Sequence, residues 1–188
     1  MKPVELRTTR LVLDQPRLDD ADLIAQYCAD PLFENYMTTP WPYQRRHAVG
    51  FIEEYVPAGW SGDAEFTWAV RLADVDGPAS FLGVIGFRVA RGDLGYWLGA
   101  PHRGRGFMPE AATAVVDWLF EQGHDEIEWE CVVGNLASSA VARKVGFTFT
   151  GQRASDIPDR RGAAQACWSG VLGSTDSRSQ KPGWPEAG

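Results

Sequence analysis

The sequence predicts a single α/β (α+β) domain in which helices flank a mixed, mostly antiparallel central sheet of about six to seven strands. Three observations predict this class. Apolar segments with strand-like alternation are separated by turn residues between positions 66 and 98. Capped segments with helical spacing precede and follow them. The chain has 188 residues, 44% of them hydrophobic, which suits one domain with a sizeable core.

The N-terminal part is predicted to hold one strand and two helices. Leucines alternate with residues of different character over residues 9 to 14, as in a strand. Residues 19 to 22, Asp-Asp-Ala-Asp, supply an N-cap and an acidic first turn for a helix that ends at Asp30-Pro31. A further helix, roughly Arg45 to Tyr55, has apolar residues on one face.

Between these helices, residues 36 to 43 are too rich in proline and aromatic residues for a regular element. Trp41 and Tyr43 stand out in this segment. They either line a binding cleft or only cover the edge of the core, because aromatic residues in loops often serve packing alone. Both interpretations stay open.

Three consecutive antiparallel strands are predicted in the middle of the chain, over residues 66 to 72, 81 to 89 and 94 to 98. Turn-forming residues at 74 to 80 and 91 to 93 separate them. The third strand therefore leads directly into the glycine-rich stretch that follows it.

That stretch, His102 to Phe107, is predicted to bind phosphate and is called the phosphate loop below. Apolar residues at helical spacing begin at its end, and Pro109 and Glu110 suit a first helical turn. Gly104 and Gly106 leave the backbone uncovered, so that N–H groups and the positive end of the helix dipole can face an anion.

Arg103 and Arg105 add full positive charges to the loop. A plain strand-to-helix turn is the alternative, since short glycine motifs have many uses. The loop has no Gly-Lys-Ser/Thr, which excludes a P-loop, and no third glycine at the dinucleotide-binding spacing, which disfavours a nicotinamide site.

The C-terminal part is predicted to complete the sheet. Residues 127 to 133 alternate as in a half-buried strand, and a helix then begins near Asn135 or Ser138 and stops at Gly146. Further strands are expected over 147 to 150 and 164 to 172. The domain therefore spans residues 1 to 172, and residues 173 to 188, with little apolar content, are expected to form a disordered tail.

Charge and composition exclude several classes of function. The formal net charge of −7 disfavours nucleic acid as a partner and is compatible with amines or basic peptides. The sequence has no apolar run of about 18 residues and a polar, charged beginning, so we expect no membrane association and a cytoplasmic location. Three widely spaced cysteines without a CxxC or histidine cluster imply neither a disulfide framework nor a metal site.

The phosphate loop and a second segment together resemble the GNAT N-acetyltransferase superfamily. The loop is similar to the family's pyrophosphate loop, Arg/Gln-x-x-Gly-x-Gly/Ala. The second segment is similar to the Asn-x-x-Ser-x-x-Val-x-x-Lys-x-Gly-Phe pattern of the RimJ/RimL-type branch, through Asn135, Ser138, Val141, Lys144, Gly146 and Phe147. The resemblance extends over about residues 7 to 172.

The resemblance implies a GNAT-like fold with splayed strands at an acetyl-CoA site, where acetyl-CoA serves as co-substrate. Leu98 then provides the N–H that stabilises the oxyanion, Asn135 binds the pantetheine arm, and Arg143 either reaches the phosphates or is an ordinary surface arginine. The implied cofactor-binding residues are Trp97, Leu98, Arg103, Gly104, Arg105, Gly106, Phe107, Met108, Asn135, Ser138 and Arg143.

For catalysis, the resemblance suggests Asp93 or Glu130 as the base that deprotonates the amine, although a turn aspartate and a solvated strand residue are the alternatives. Many family members have a tyrosine as the acid on a later helix, but no tyrosine follows Tyr96 here. Ser138 is therefore the candidate beside the thioester, with helix capping as its alternative. Trp41, Tyr43 and Tyr96 are the predicted substrate-binding residues.

The leading hypothesis is an N-acetyltransferase that joins acetyl-CoA and a primary amine by direct attack in a ternary complex. A protein amino terminus and a small-molecule amine both remain open as acceptors, because likeness of fold does not determine the substrate. A non-catalytic acyl-CoA-binding sensor is the alternative from another class, and a nucleotide enzyme ranks third. Dimers are frequent in the branch, so a homodimer is compatible with the resemblance.

Overall fold

In the computed structural model, which describes residues 1–77 and 80–186, eight strands form one sheet. Their order is β1-β2-β3-β4-β5-β6-β8-β7, and all neighbours are antiparallel except β5 and β6. The strands are β1 Leu6–Arg7, β2 Leu11–Asp14, β3 Glu65–Leu72, β4 Phe81–Arg88, β5 Asp93–Leu98, β6 Glu126–Val132, β7 Thr148–Pro158 and β8 Ala164–Gly173. The predicted mixed, mostly antiparallel sheet is confirmed, with one short strand, β1, that the sequence pattern had not indicated.

Six α-helices flank the described strands. They are α1 Ala21–Cys28, α2 Pro31–Tyr36, α3 Arg45–Gly50, α4 Val56–Ser61, α5 Phe107–Glu121 and α6 Leu136–Val145, with a π-helical segment Phe51–Tyr55 between α3 and α4. No helix in the described part of the chain is long and apolar enough to cross a membrane.

The helix α2 corrects the prediction that Asp30-Pro31 only ends a helix. The Asp30 side chain accepts a hydrogen bond from the Leu32 N–H at 2.9 Å, and Pro31 occupies the first turn. An N-cap aspartate followed by proline is a helix start signal, so the same two residues separate α1 from a new helix.

The sheet is covered on both faces. In β3, Phe66, Trp68 and Val70 belong to the core beneath α5, whereas Ala69 belongs to the core beneath α1 and α3. Because successive strand residues point to opposite faces, these two cores lie on opposite sides of the sheet.

The strands β5 and β6 separate soon after they pair. Their parallel register holds only for Asp93 with Glu128 and Leu94 with Trp129. Beyond Leu94, β5 stays paired with β4 up to Leu98 while β6 moves away. This opening leaves room for a ligand between the two strands, and the expected splay is confirmed.

The C-terminal segment differs from the predicted disordered tail over its described residues. Trp184 is buried, and its ring lies 5.4 Å from those of Trp129 and Phe149. At Gly170, beside these rings, a Cβ would lie 2.9 Å from the Thr148 carbonyl oxygen, so glycine is needed there for the close approach of β7. Trp184, the ion pair of Arg178 with Asp117 and the hydrogen bond from Lys181 to Thr148 attach this polar segment to the domain. Residues 187 and 188 of the predicted tail, like 78 and 79 of the predicted turn, lie outside the described residues.

Candidate functional site

The phosphate loop has the backbone geometry that its glycines predict. Gly104 and Gly106 have φ angles of +75° and +79°, in the left-handed region that favours glycine, and Gly106 caps the start of α5. A Cβ at Gly104 would meet nothing within 4 Å, so this position is open to a ligand. The first N–H groups of a helix have no acceptor within the helix, and those of α5 begin directly after the loop.

Two arginines hold the loop from opposite ends. Arg103 donates to the Leu98 carbonyl at 3.0 Å and pairs with the Asp30 carboxylate at 2.8 Å. Arg10 pairs with Glu110 in the first turn of α5 and donates to the Arg105 carbonyl at 3.2 Å. The loop is thereby fixed in shape before any ligand binds.

A cavity of about 480 Å³ extends from this loop to the opening between β5 and β6 and is called the larger cavity below. Most of the predicted cofactor-binding residues line it. They are Trp97, Leu98, Arg103, Gly104, Gly106, Phe107, Met108, Asn135 and Ser138. Its size lies within the range of about 300–1,000 Å³ that is typical of ligand sites.

Arg105 and Arg143 are not among the described residues that line this cavity. The Arg105 guanidinium lies 4.9 Å from the centre of the Phe107 ring. The α6 residues that line the cavity are Leu136, Ala137, Ser138, Ala140, Val141 and Lys144. Lys144 is thus the basic residue of α6 that lines this cavity, whereas the predicted role of Arg143 remains a prediction.

One wall of the larger cavity was predicted only in part, because it combines the start of the aromatic segment at 36 to 43 with a helix that was not predicted. It consists of Leu32, Phe33, Tyr36 and Met37 on and just after α2. The Tyr36 hydroxyl donates to the Gly134 carbonyl at 3.5 Å, across the cavity mouth. Only the unpredicted helix places these residues here, so no motif in the chain marks them.

The Ser138 hydroxyl is not the cap of α6. The Asn135 side chain performs that task by accepting the Ser138 N–H at 3.1 Å. The Ser138 hydroxyl instead accepts from Trp129 Nε1 at 3.2 Å and donates to the Tyr96 hydroxyl at 3.3 Å, while Tyr96 donates to the Ser138 carbonyl at 2.8 Å. Burial raises the pKa of Tyr96, so its phenol stays protonated. The serine and tyrosine form one network facing the cavity.

The backbone of Leu98 points toward the opening. Gly99 donates its N–H to the Leu82 carbonyl at 2.9 Å, which places the hydrogen bonds of Gly99 on the β4 side. Since hydrogen-bonding direction alternates along an antiparallel strand, the N–H of Leu98 faces the side that β6 has left. This orientation supports the predicted role of Leu98 as a donor to a ligand.

A smaller cavity of about 120 Å³ adjoins the larger one. The two share Tyr36, Met37, Tyr96, Asn135 and Ser138 in their walls. The smaller cavity is otherwise bounded by β6, by the hairpin of β7 and β8, and by Thr38, Arg88, Leu94 and Gly95. The pair Tyr96 and Ser138 therefore lies where two separate molecules could meet.

The two predicted carboxylates lie in different places. Asp93 is 1% exposed, is not among the described residues lining either cavity, and pairs with Arg88 at 2.8 and 2.5 Å. These contacts favour a structural role over that of a base. Glu130 lines the smaller cavity, although its carboxylate already accepts from Arg91 and Arg153, each at 3.0 Å.

Trp41 and Tyr43 also fall outside the described walls of both cavities. They pack against the core beneath α1 and α3, and burial raises the pKa of Tyr43. The Tyr43 ring lies 5.4 Å from that of His47, edge to face. This placement favours the alternative that they cover the edge of the core. Of the predicted substrate-binding residues, Tyr96 lies in both cavities.

Comparison with known proteins identifies the family of this chain. A family model described as an acetyltransferase (GNAT) domain matches residues 10–148. The N-acetyltransferase p20 of Bacillus licheniformis, itself uncharacterized, is 32% identical over 123 residues, which cover 61% of this chain and 65% of that protein. The alignment thus spans less than two thirds of the relative's length.

Solved structures share the fold. A candidate ribosomal-protein-serine acetyltransferase of Vibrio cholerae superposes with a TM-score of 0.78 at 21% identity, covering 92% of this chain and 99% of that one. The microcin C7 self-immunity acetyltransferase MccE, solved with acetyl-CoA and AMP, superposes with a TM-score of 0.72 at 21% identity, covering 88% and 93%.

Proposed function

The chain belongs to the GNAT acetyltransferase family, and from this premise we propose that it transfers the acetyl group of acetyl-CoA to a primary amine. The observation that carries the proposal is the meeting of two cavities at Tyr96 and Ser138, with the phosphate loop at the far end of the larger one. Acetyl-CoA supplies an activated acetyl thioester, and an amine can approach that thioester from the other side.

The larger cavity has a shape and a set of hydrogen-bond donors that suit acetyl-CoA. The open position at Gly104 and the start of α5 offer N–H groups to the pyrophosphate, as MccE in its acetyl-CoA complex has the same fold. Lys144 lines the same cavity and has no ion-pair partner among the described residues, so its charge is available to a phosphate. The apolar wall from α2 suits the pantetheine arm.

The acetyl group is proposed to lie in the opening between β5 and β6. There the N–H of Leu98 stabilises the negative charge that develops on the carbonyl oxygen during attack. The amine nitrogen forms a bond to the carbonyl carbon, the bond from carbon to sulphur breaks, and the thiolate leaves. A thiol pKa near 8.5 means that this thiolate needs little help from an acid.

The amine must be neutral when it attacks, because a protonated amine has no free electron pair. Glu130 is the better placed of the two predicted bases, since it lines the smaller cavity. Its carboxylate is occupied by Arg91, Arg153 and the Ser155 hydroxyl, so we propose that it receives the proton through a water molecule. Ser138 orients the thioester region through its bond to Tyr96.

The same ion pairs favour one alternative, a module that binds acyl-CoA without turnover. Both carboxylates are held by arginines, so neither has its oxygens free to contact an amine directly. Binding of acetyl-CoA without release of thiol in the presence of amines would favour this alternative.

The test combines calorimetry with a thiol assay. Acetyl-CoA is titrated into the purified chain, and free CoA thiol is then followed with linear alkylamines, polyamines, amino acid amides and short peptides. We expect saturable binding and thiol release only when an amine is present. Absence of binding would contradict the cofactor assignment, and binding without release for every amine would contradict the enzymatic one.

A further inference from the structure

The hairpin of β7 and β8 ends in a tightly held tip. The Asp159 carboxylate accepts the backbone N–H groups of Arg161 and Ala163, both at 2.8 Å, and Gly162 has a φ of +80°. These backbone hydrogen bonds lower the pKa of Asp159, so its charged form persists and keeps the tip in shape. The tip therefore presents Arg160 in a defined position.

Arg160 joins this tip to α2, which lies more than a hundred residues earlier in the chain. Its guanidinium donates to the carbonyls of Phe33 at 2.8 Å, Glu34 at 2.5 Å and Thr39 at 2.8 Å. It also lies 5.9 Å from the centre of the Trp41 ring. Glu34 lies in the last turn of α2, where carbonyls lack donors within the helix and carry partial negative charge, so a guanidinium suits it; the Phe33 carbonyl also accepts the Met37 N–H at 3.1 Å.

The two segments that Arg160 connects are opposite walls of the smaller cavity. Tyr36, Met37 and Thr38 line one wall and lie between the carbonyls that Arg160 binds. Ser155, Ile157 and Gln165 line the other wall, on the strands that flank the tip. Moving these two walls apart would break the hydrogen bonds of Arg160.

We propose that Arg160 determines acceptor specificity by holding these walls together, an inference that rests on the proposed acetyl transfer. With the walls joined, the cavity of about 120 Å³ is well below the usual range of about 300–1,000 Å³ for ligand sites. It accepts the amino group of a small, slim primary amine. A branched amine or a peptide amino terminus enters only when the Arg160 contacts are released.

The geometry of the contact makes arginine specific for this task. Three carbonyls at different positions need a planar fork of donors, which lysine lacks although it carries the same charge. Arg161, the next residue, provides a matched control, because its side chain makes no hydrogen bond or ion pair within the described part of the chain.

The experiment compares Arg160→Ala, Arg160→Lys and Arg161→Ala with the unsubstituted chain. Thiol release is measured with a linear alkylamine and with a dipeptide amide, and the ratio of their kcat/KM values is taken. We expect the unsubstituted chain to prefer the linear amine. The ratio should shift toward the dipeptide amide by about fivefold or more in both Arg160 variants, and stay unchanged in Arg161→Ala.

Hydrogen exchange measured by mass spectrometry gives a second readout that does not need turnover. Amides of residues 36 to 41 should exchange faster in both Arg160 variants and not in Arg161→Ala. An unchanged ratio in an active Arg160→Ala variant, or unchanged exchange, would overturn the role of Arg160. A preference of the unsubstituted chain for the dipeptide amide would overturn the assignment of small amines. Failure of every amine would instead overturn the proposed function on which the inference rests.

Discussion

Replacing Gly104 by glutamate should strongly weaken acetyl-CoA binding while leaving the chain folded. The new side chain meets nothing within 4 Å at its Cβ, so no steric clash arises in the free protein. The backbone, at a φ of +75°, is strained by about 1–2 kcal/mol when the residue is not glycine. For a chain of this length that corresponds to a fall in Tm of roughly 2–8 °C.

The loss of affinity follows from charge. A carboxylate about 4 Å from one phosphate charge is repelled by about 4 kcal/mol at an effective dielectric constant near 20. Since each 1.4 kcal/mol is a factor of ten, the expected loss is about 100- to 1,000-fold once screening by salt is included. Isothermal titration with acetyl-CoA measures it directly.

Two controls separate charge from strain. Gly123, just after α5, has a φ of +92° and equally open surroundings, so Gly123→Glu introduces the same charge and a similar strain away from the cavity. Gly104→Ala introduces the strain without the charge and should cost less than about tenfold in affinity. If Gly104→Glu bound acetyl-CoA as tightly as Gly123→Glu, the phosphate loop would be misassigned.

Four further predictions concern the residues around the site. Ser138→Ala should leave the acetyl-CoA affinity within a few-fold of that of the unsubstituted chain, because Asn135 supplies the cap of α6. The same variant should have lower turnover. Full turnover would mean that Ser138 takes no part in the chemistry. Lys144→Ala should weaken acetyl-CoA binding by up to about tenfold, which corresponds to the loss of one charge contact, and it should weaken binding more than Arg143→Ala does. If titration shows the reverse order, Arg143 rather than Lys144 contacts the phosphates. Trp184→Ala should lower the free energy of unfolding, measured in urea, by about 3–5 kcal/mol because it removes a buried indole. A loss below about 1 kcal/mol would mean that the C-terminal segment does not pack as described. Burial raises the pKa of Glu110, but hydrogen bonds from Thr8 and Arg10 outweigh this effect and lower the pKa overall. The free energy of unfolding lost in Glu110→Gln should therefore be greatest above about pH 5 and vanish as acid protonates the carboxylate. Urea denaturation that shows no pH dependence of this loss would contradict the assignment.

The sequence alone determined the features that depend on neighbours along the chain. Strand alternation and helical spacing predicted the order of β2 to β6 and α5, and the glycines of the phosphate loop predicted the positive φ angles at Gly104 and Gly106. Asn135 and Gly146, the residues at the ends of α6, were also predictable. These features follow from backbone sterics and from hydrogen bonds within a few residues.

Only the tertiary structure decided which residues share a space. Asp93 and Glu130 were both candidate bases by sequence, yet the arginines around Asp93 keep it within the sheet while Glu130 reaches the smaller cavity. The wall from α2, the burial of Trp184 and the contact of Arg160 with Phe33 join segments that are far apart in the chain. Such contacts arise from the packing of whole elements, and no local pattern encodes them.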